Sequence, residues 1–413
     1  MEKLKDLCKC ISDGEHGSVA DDLCGKYFLL SNKNLVNNII EITDSDRRIS
    51  KETYYLLSRK QNLEKGDLLL STVGTVGKTQ VLEEPGDFVF QRSVGIIKTK
   101  KDKLNPYYLK YLFETSSYKK LLSNLAHGGV QKGIYIYDIG NIPIDCPSLE
   151  KQEELIRPLL TIDRKISLNN KINDNLSQQL QLLFDFWFKQ YNFANSIGKP
   201  YALSNGTFIY NNKLKRKIPE NWTIGSLMNN PLSKPIEPGV SYFNYKNYLA
   251  TANIDGTAIT DGENVTFENR ESRANMEPRL YSIWFAKMKN SIKHLFISGK
   301  GQYIVEKYIL STGFAGINCD EKTFAYIAGV ISDPTFELVK DKYAHGATQQ
   351  SVSNDDLDLY KIVIPDSNTL KKYAALANPI YEKLNLLLIE NNKLQKLRDY
   401  LLPLLLNGQV TIR

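Results

Sequence analysis

The sequence predicts an α+β fold in which two similar domains of mixed strands and helices alternate with two long helices. Three observations carry this prediction. One stretch of sequence occurs twice, short apolar segments broken by turn residues precede each copy, and a segment free of Gly and Pro follows each copy. A chain of 413 residues is long enough to bury more than one core, which agrees with this division.

The repeat is clearest where AHGGVQKGIYIYDIGNIPIDCP (Ala126 to Pro147) matches AHGATQQSVSNDDLDLYKIVIP (Ala344 to Pro365) at a constant offset of 218. Ala-His-Gly, a Gln, an Asp and the final Pro coincide. Further on, Asn169-Asn170-Lys171-Ile172 corresponds to Asn391-Asn392-Lys393-Leu394 at an offset of 222. A change of four residues is about one helical turn, so a helix absorbs it with little rotation of its buried face. We interpret the chain as two copies of one unit, each a mixed domain followed by a long helix.

Within each copy, residues 54–97 and 280–317 contain short segments rich in Val, Ile, Leu and Tyr that are separated by Gly, Asp and Asn. This pattern predicts the strands of a twisted sheet. Asn105-Pro106 predicts the start of a helix, with Asn as the N-cap and Pro in the first turn. One helix is expected from there to Leu125, because apolar residues follow at helical spacing.

The long helices are predicted from segments without Gly or Pro. The first runs from Leu159 to Ile197 and would be about 58 Å long if it were helical throughout. The second is expected from Ile380 to Leu402, bounded by Pro379 and Pro403. Residues spaced alternately by four and three form a coiled-coil seam in each helix. The seam residues are Ile162, Ile166, Asn169, Asn173, Leu176, Leu180, Leu183 and Trp187 in the first helix, and Leu384, Leu388, Asn391, Leu394 and Leu401 in the second.

A single helix with so apolar a seam would be unstable in water, so each helix is expected to pair with the other one in the same chain. A buried Asn in such a seam fixes the register of the two helices rather than performing chemistry. Asn169, Asn173 and Asn391 are therefore predicted to be register residues.

Composition excludes some classes of protein. No apolar run approaches the roughly 18 residues needed to cross a membrane, and the N-terminus is not a signal peptide, so a cytoplasmic protein is expected. A formal net charge of +7 permits a polyanionic partner without requiring one. Five cysteines do not form a disulfide framework. Cys8, Cys10, His16 and Cys24 match no common zinc spacing, and no metal or cofactor is predicted.

The stretch GDLLLSTVGTVGKTQVLEEPGD (Gly66 to Asp87) contains Gly77-Lys78-Thr79, the closing half of a phosphate-binding loop. A P-loop requires another Gly separated from that Gly-Lys pair by four residues, and this position is Thr72. It also requires a helix after the loop, whereas Gln80-Val81-Leu82 alternates and then stops at Glu83-Glu84-Pro85-Gly86. We therefore predict two strands joined by a glycine turn, and a nucleotide-binding enzyme remains the less favoured alternative.

No catalytic residue is predicted. The sequence has no Gly-rich methyl-donor loop, no carboxylate pair with metal spacing and no nucleophile–base signature. Asn105-Pro106-Tyr107-Tyr108 resembles the Asn-Pro-Pro-Tyr loop of adenine methyltransferases, but the second Pro is missing and a capped helix follows.

Several of these motifs together resemble the specificity subunit of type I restriction–modification systems. The motifs are Gly66-Asp67-Leu68-Leu69-Leu70-Ser71 with Gly74 and Gly77, the paired Ala-His-Gly segments, Leu149-Glu150-Lys151-Gln152, and ENNKLQKLRDYLLPLLLNGQV (Glu390 to Val410). The resemblance covers the whole chain, and the RDYLLPLLLNG segment is quite specific.

The resemblance implies two target-recognition domains and two long helices that form an antiparallel intramolecular coiled coil with pseudo-twofold symmetry. The expected boundaries are 1–150 for the first domain, 151–197 for the central helix, 198–366 for the second domain and 367–413 for the C-terminal helix. Each domain would read one half of a bipartite, asymmetric DNA target. The implied partners are double-stranded DNA, two DNA adenine methyltransferase (modification) subunits and, in systems that cleave, restriction subunits.

The glycine loop of the first copy is expected to reach DNA phosphates or base edges through Ser71, Thr72, Thr75 and Lys78. The matching segment of the second copy, FAKMKNSIKHLF, alternates Lys287, Lys289 and Lys293 with apolar residues, which predicts a basic face on a strand or loop.

Further candidate DNA contacts follow the repeated Ala-His-Gly segments. Gln is suited to adenine, and Lys to guanine or phosphate. These candidates are Gln131, Lys132, Gln349 and Gln350. His127 and His345 are either DNA contacts or structural residues of a loop beside the sheet, and Arg92 is a further candidate, followed by Arg270 or Arg273. Lys132 against Gln350, and the divergence of 29–65 from 250–279, predict two different half-sites.

Two other classes of protein stay open alongside a non-enzymatic DNA-specificity subunit. A coiled-coil assembly scaffold, or an inactive specificity chain, would keep the fold without the DNA contacts. An enzyme that uses Gly77-Lys78-Thr79 would bind ATP, and the substitution Lys78→Ala would abolish this binding.

Overall fold

The computed structural model describes residues 1–36, 39–128, 132–260 and 262–409. The chain divides into two compact units. Unit 1 comprises Met1–Arg164 together with the segment that begins at Lys396, and unit 2 comprises Lys165–Gln395. Unit 1 is therefore formed from both ends of the chain and unit 2 from its middle.

Unit 1 consists of short strands with helices packed beside them. Its strands are β1 (Glu2–Lys3), β2 (Cys8–Asp13), β3 (Tyr27–Leu30), β4 (Leu35–Val36), β5 (Ile39–Ile40), β6 (Arg48–Ile49), β7 (Leu68–Ser71), β8 (Thr79–Val81), β9 (Phe88–Phe90), β10 (Val94–Thr99) and β11 (Pro143–Ile144). Its helices are α1 (Lys51–Gln61), α2 (Pro106–Glu114), α3 (Ser116–Leu125), α4 (Ile136–Gly140) and the first part of α5 (Leu149–Phe184).

Unit 2 contains the rest of α5 and a second series of strands and helices. Its strands are β12 (Phe208–Asn211), β13 (Arg216–Pro219), β14 (Thr223–Ser226), β15 (Ser233–Ile236), β16 (Lys246–Leu249), β17 (Ile254–Asp255), β18 (Ala258–Ile259), β19 (Glu263–Val265), β20 (Ala274–Met276), β21 (Ser282–Ala286), β22 (His294–Ile297), β23 (Tyr308–Ser311), β24 (Phe314–Cys319) and β25 (Lys361–Ile364). Its helices are α6 (Gln302–Lys307), α7 (Phe324–Ser332), α8 (Pro334–Tyr343), α9 (Asn354–Asp358) and most of α10 (Ser367–Leu406).

The main sheet of unit 1 matches that of unit 2 strand for strand, which confirms the repeat. One sheet has the order β2-β10-β7-β8 in unit 1 and β15-β24-β21-β22 in unit 2. A second sheet contains a parallel pair in both units, β3 with β9 and β16 with β23. In unit 1 the first strand also pairs with the last, β1 with β11, and in unit 2 the last strand, β25, pairs with β14, which follows the β12–β13 hairpin. The predicted mixed α and β class is correct.

Two local predictions in unit 1 were wrong. Tyr54 lies in α1 rather than in a strand, because the Ser50 side chain accepts a hydrogen bond from the Thr53 amide and caps this helix. The helix that starts after Asn105 has the predicted cap, but it ends at Glu114. Thr115 adopts an extended backbone there and donates its hydroxyl to the Leu112 carbonyl at 2.7 Å, and α3 begins at the next residue.

The long helices are present, with limits that differ from the prediction. After α5, residues Asp185–Lys189 form a π-helical turn, and Tyr191 then adopts a left-handed backbone, so residues 190–197 are not helical. The π turn lets Phe188 pack against Trp222, Tyr326 and Tyr373. Helix α10 contains Pro379 and Pro403 instead of being bounded by them. Among the described residues, no helix has the length and apolar character needed to cross a membrane.

The two long helices contact each other in both units, and their contacts in unit 2 show that they run antiparallel. In unit 2, Asn169 of α5 bonds to Asn391 of α10, and Trp187 in the π turn after α5 contacts Tyr373 of α10. Residues later in the first helix therefore contact residues earlier in α10. In unit 1, Asp163 of α5 forms an ion pair with Arg398 of α10. Every residue of the predicted seam is buried or half-buried.

The Asn residues of the seam form part of this pairing. Asn169 is fully buried, and its amide donates to the Asn391 side-chain oxygen at 2.8 Å and to Glu390 at 2.9 Å. Asn391 in turn donates to Asn170 at 2.8 Å. The side-chain oxygen of Asn173 is buried without a partner among the described residues, so its role in register stays a prediction.

If these bonds hold the register, Asn169→Ala and Asn391→Ala should not be additive in free energy of unfolding. We expect a coupling energy of about 1 kcal/mol in a double-mutant cycle measured by urea denaturation, because each single change removes the same hydrogen bond. The matched control is Asn175, which is exposed on the same helix. Its cycle with Asn391 should give a coupling within about 0.5 kcal/mol of zero, and an equal coupling in both cycles would contradict a specific Asn169–Asn391 interaction.

Candidate nucleic-acid interface

The glycine loop of unit 1 is a β-hairpin turn between β7 and β8, as predicted from its sequence. Ser71 holds the turn closed: its hydroxyl donates to the Thr75 carbonyl at 2.6 Å and accepts from the Lys78 amide at 2.8 Å. Gly74 and Gly77 have φ values of +77° and +93°, which favour glycine. The turn is therefore a defined structure stabilised by internal hydrogen bonds.

The Ala-His-Gly segment lies beside this turn. The Gly74 amide donates to the Lys132 carbonyl at 2.9 Å, and the Ile134 amide donates to the Thr72 carbonyl at 2.9 Å. His127 and Gly133 exchange two backbone hydrogen bonds, which closes the second loop on itself. We call residues 72–78 together with the described residues of the second loop, 127–128 and 132–133, the paired loops of unit 1.

Residues that follow β3 and β9, two strands of the second sheet, support the glycine loop. The Asn32 side chain donates to the Val73 carbonyl at 2.7 Å, and the Thr72 hydroxyl donates to the Arg92 carbonyl at 3.1 Å. The Lys78 ammonium lies 3.4 Å from the Leu35 carbonyl. Arg92 is thereby placed next to the glycine loop, although it lies far from it in sequence.

The structure separates the predicted contact residues of unit 1 into exposed and buried groups. Ser71 and Thr72 are 0% and 2% exposed, and their hydroxyls are used within the fold. They shape the loop instead of contacting a ligand directly, which corrects their predicted role. Gln131 lies outside the described residues. The exposed candidates are Thr75, Lys78, Arg92, His127 and Lys132.

Unit 2 repeats the arrangement with different side chains. The turn between β21 and β22 spans residues 287–293, and it is joined to the second Ala-His-Gly loop by bonds from the Lys289 amide to the Gln350 carbonyl and from the Val352 amide to the Lys287 carbonyl, both 3.0 Å. His345 and Ser351 exchange two backbone bonds, as His127 and Gly133 do. We call residues 287–293 and 345–351 the paired loops of unit 2.

The three predicted lysines of this turn have different surroundings. Lys289 is exposed and donates to the Gln350 side chain at 2.8 Å. Lys293 is half-buried and donates to the Thr251 carbonyl at 2.6 Å. Burial, and secondly the charge of Arg273, lower the pKa of Lys287. Lys289 with Gln350 therefore forms the most accessible polar group of the turn, and Gln349 and His345 are exposed beside it.

Of the two weaker arginine candidates, one is near the paired loops of unit 2. The Arg273 carbonyl accepts from the Thr312 amide at 2.9 Å, and its side chain is exposed. Arg270 instead lies over the Phe267 ring and donates to the carbonyls of Phe267 and Ala274. Arg270 stabilises its own loop, whereas Arg273 adds positive charge near Lys287.

Each His of the repeated Ala-His-Gly segments faces an Asp side chain, and sequence reasoning missed this contact. His127 Nε2 lies 3.7 Å from Asp138, and His345 Nδ1 lies 3.4 Å from Asp356. The Ser353 side chain and amide hold the pKa of Asp356 below its usual value. Both aspartates coincide in the repeat, so the alignment of the two copies contained the signal, but it did not show that each one faces a histidine.

The chemistry of the paired loops is that of polyanion binding. Exposed cations and hydrogen-bond donors on a rigid turn can contact phosphates and base edges. The described residues contain no group of three or more His, Cys, Asp or Glu side chains suited to a metal ion. The fold and this surface define a protein with two similar binding units, each of which presents a cationic pair of loops.

Comparisons with known proteins agree with this class. The family described as "Type I restriction modification DNA specificity domain" matches residues 2–178. The MjaIX type I restriction enzyme specificity subunit of Methanocaldococcus jannaschii is 26% identical over all of this chain and 93% of its own length. The HindI specificity subunit of Haemophilus influenzae is 21% identical over 85% of this chain and 88% of its own.

A solved structure shares the fold. The S subunit of a type I restriction–modification system from M. genitalium has a TM-score of 0.53 at 14% identity, over 98% of this chain and 95% of its own. Residues 2–178 thus match the type I specificity domain, and the whole chain is similar to type I restriction enzyme specificity subunits, which confirms the resemblance predicted from its motifs.

Proposed function

We propose that this chain gives a type I restriction–modification system its DNA specificity by reading a bipartite, asymmetric target, one half with each unit. The observation that carries the proposal is the duplication of the paired loops with different exposed side chains. Lys132 in unit 1 corresponds to Gln350 in unit 2, and Lys favours guanine or phosphate whereas Gln favours adenine. The same scaffold is thus suited to two different half-sites.

The recognition domains are proposed to be residues 1–150 and 198–366, with residues 190–197 added to the second because the central helix ends at Lys189. We assign to DNA the exposed residues Thr75, Lys78, Arg92, His127 and Lys132 in unit 1, and Lys289, His345, Gln349 and Gln350 in unit 2. The half-buried Lys287 and Lys293 of unit 2 are assigned to DNA as well. The aspartate partners of the two His residues suit a structural role in the loops as well as a contact with DNA.

The chain is proposed to act with other subunits rather than by its own chemistry. Two DNA adenine methyltransferase (modification) subunits would bind around α5 and α10, and restriction subunits would join in a system that cleaves DNA. The similarity of the chain to type I specificity subunits supports this, as do exposed apolar residues on both helices, such as Leu168, Leu182, Leu376 and Leu386.

Modified-base sequencing tests the proposal. The chain would be expressed with its neighbouring methyltransferase in a host without DNA methylation, and the methyltransferase alone would serve as the control. We expect a split adenine-methylated motif only when this chain is present. A soluble complex of the two proteins that methylates no such motif would contradict the proposal and favour an assembly scaffold or an inactive specificity chain.

A further inference from the structure

A buried lysine lies directly beneath the turn of unit 2. Lys340, in the last turn of α8, is 1% exposed, and its ammonium donates to the carbonyls of Ala286 at 3.3 Å and Ser291 at 3.1 Å. These two carbonyls belong to opposite ends of the turn, since Ala286 ends β21 and Ser291 precedes β22. One ammonium group therefore ties the two sides of the turn together from below.

The neighbouring residue of α8 holds the tip of the same turn. The Asp341 side chain accepts from the Asn290 amide at 3.1 Å, and Asn290 has a left-handed backbone with φ of +55°. A non-glycine residue in this conformation depends on its surroundings to stay there. Helix α8 thus holds the turn with two side chains: the Lys340 ammonium binds two carbonyls of the turn, and the Asp341 carboxylate binds the amide at its tip.

The charge of Lys340 is balanced inside the protein. The Glu337 carboxylate forms an ion pair with the Lys340 ammonium at 2.5 Å and a hydrogen bond with His294 Nε2 at 2.7 Å, and Glu337 and His294 are both buried. Burial raises the pKa of Glu337, but the hydrogen bonds from His294 and Lys340 outweigh it and hold this pKa below its ordinary value. A buried ion pair of this kind is weak evidence for added stability, because desolvation of both charges offsets their attraction.

Unit 1 has no such charge in the corresponding place. Lys340 is four residues before Ala344, and the residue four before Ala126 is Leu122. Leu122 is buried, and its methyl group lies 3.7 Å from the position that a Cβ of Gly77 would occupy, so it packs beneath the glycine turn. The glycine turn is held by the Ser71 hydroxyl instead. The two units therefore hold equivalent turns by different means.

We infer that Lys340 is a positioning residue for DNA recognition by unit 2, which sets the conformation of the turn that presents Lys287, Lys289 and Lys293. This inference rests on the proposed function. It adds that a residue without access to DNA determines how well the second half-site is discriminated, and that Leu122 has no comparable effect on the first.

The test separates positioning from stability with two variants. Lys340→Met leaves Glu337 as a buried carboxylate without its ammonium partner, so unit 2 should also be destabilised. Lys340→Met combined with Glu337→Gln removes that unbalanced charge and should recover stability. In both variants the Ala286 and Ser291 carbonyls lose their donor. Leu122→Met in unit 1 is the matched control, because it changes the residue beneath the other turn without changing charge.

The first measurement is hydrogen–deuterium exchange on the complete chain. We expect faster exchange of amides in 287–293 in both Lys340 variants, with no change in 72–78, and no change in either turn for Leu122→Met. Unchanged exchange in 287–293 in the double variant would overturn the inference, whether or not DNA recognition has been established.

The second measurement is methylation of DNA substrates with single-base changes in each half-site. For the unmodified chain we expect discrimination on the order of tenfold to a hundredfold per base change. In the double variant we expect less than threefold discrimination in the second half-site and unchanged discrimination in the first. If the double variant regains full discrimination together with stability, Lys340 is merely structural. If the unmodified chain directs no split methylation, the proposed function fails. The hydrogen–deuterium exchange result then decides by itself whether Lys340 sets the conformation of the turn.

Discussion

A chain that carries Lys287→Gln, Lys289→Gln and Lys293→Gln is expected to bind DNA roughly 10-fold to 100-fold more weakly near physiological salt. Each lysine that contacts a phosphate releases counterions on binding, so its loss should lower the dependence of log K on log salt by about 1. Three such lysines would lower the slope by about three, and because Lys287 and Lys293 are only partly accessible, we expect a fall of about one to three.

The measurement is a salt titration of DNA affinity by fluorescence anisotropy. The matched control is Lys213→Gln, Lys215→Gln and Lys217→Gln, which removes the same charge from exposed positions around the β12–β13 hairpin of unit 2. The control should keep the slope of the unmodified chain. Equal losses in both triple variants would show a general charge effect, and no loss in either would favour a scaffold without DNA contacts.

Leu405→Ala is expected to lower the free energy of unfolding of unit 1 by about 2–5 kcal/mol, the range for truncating a buried leucine. Leu405 is 2% exposed and belongs to the same apolar core as Leu155, Ile156 and Leu159 of α5. The substitution lies near the end of the sequence, yet it should destabilise the domain at the beginning, because that domain includes the segment from Lys396 onward.

Urea denaturation followed by tryptophan fluorescence would not report on this unit, since all three Trp residues, at 187, 222 and 284, lie in unit 2. Hydrogen exchange of β10 and α2 is the suitable measurement. Tyr400→Ala is the control on the same helix, since Tyr400 is 68% exposed, and it should change stability by no more than about 0.5 kcal/mol. Loss of protection in unit 2 alone would contradict the division of the chain.

The repeat could be predicted from sequence because it reports on topology directly. Two segments that share Gly, His and Pro at a constant offset need the same backbone path, and their sheets do have the same strand order. The glycine turn was predictable for a similar reason, since Gly74 and Gly77 occupy positions with positive φ. Backbone conformations of this kind can be predicted from residue type alone, because few residues other than Gly adopt a positive φ.

Features that depend on distant packing were not predictable. Nothing local ends the central helix at Lys189, where Phe188 meets aromatic rings from three other segments. Pro379 and Pro403 suggested helix boundaries, but α10 passes through both because its flanking residues are packed. Ser71 and Lys340 illustrate the same limit: a polar residue in a loop or helix gives no sign of whether it faces solvent or a neighbouring carbonyl.

Unit 1 is built from two segments that are far apart in sequence, and this affects the order in which the units can fold during synthesis. At about 5–20 residues per second, roughly 10–50 s separate the appearance of Arg164 from that of Lys396 on the ribosome. Unit 2 is continuous and can complete its fold within this interval, whereas unit 1 must wait with its apolar surface uncovered. The domain that is made first is thus the one that finishes folding last, and the nascent N-terminal half is the stage at which a chaperone would be needed.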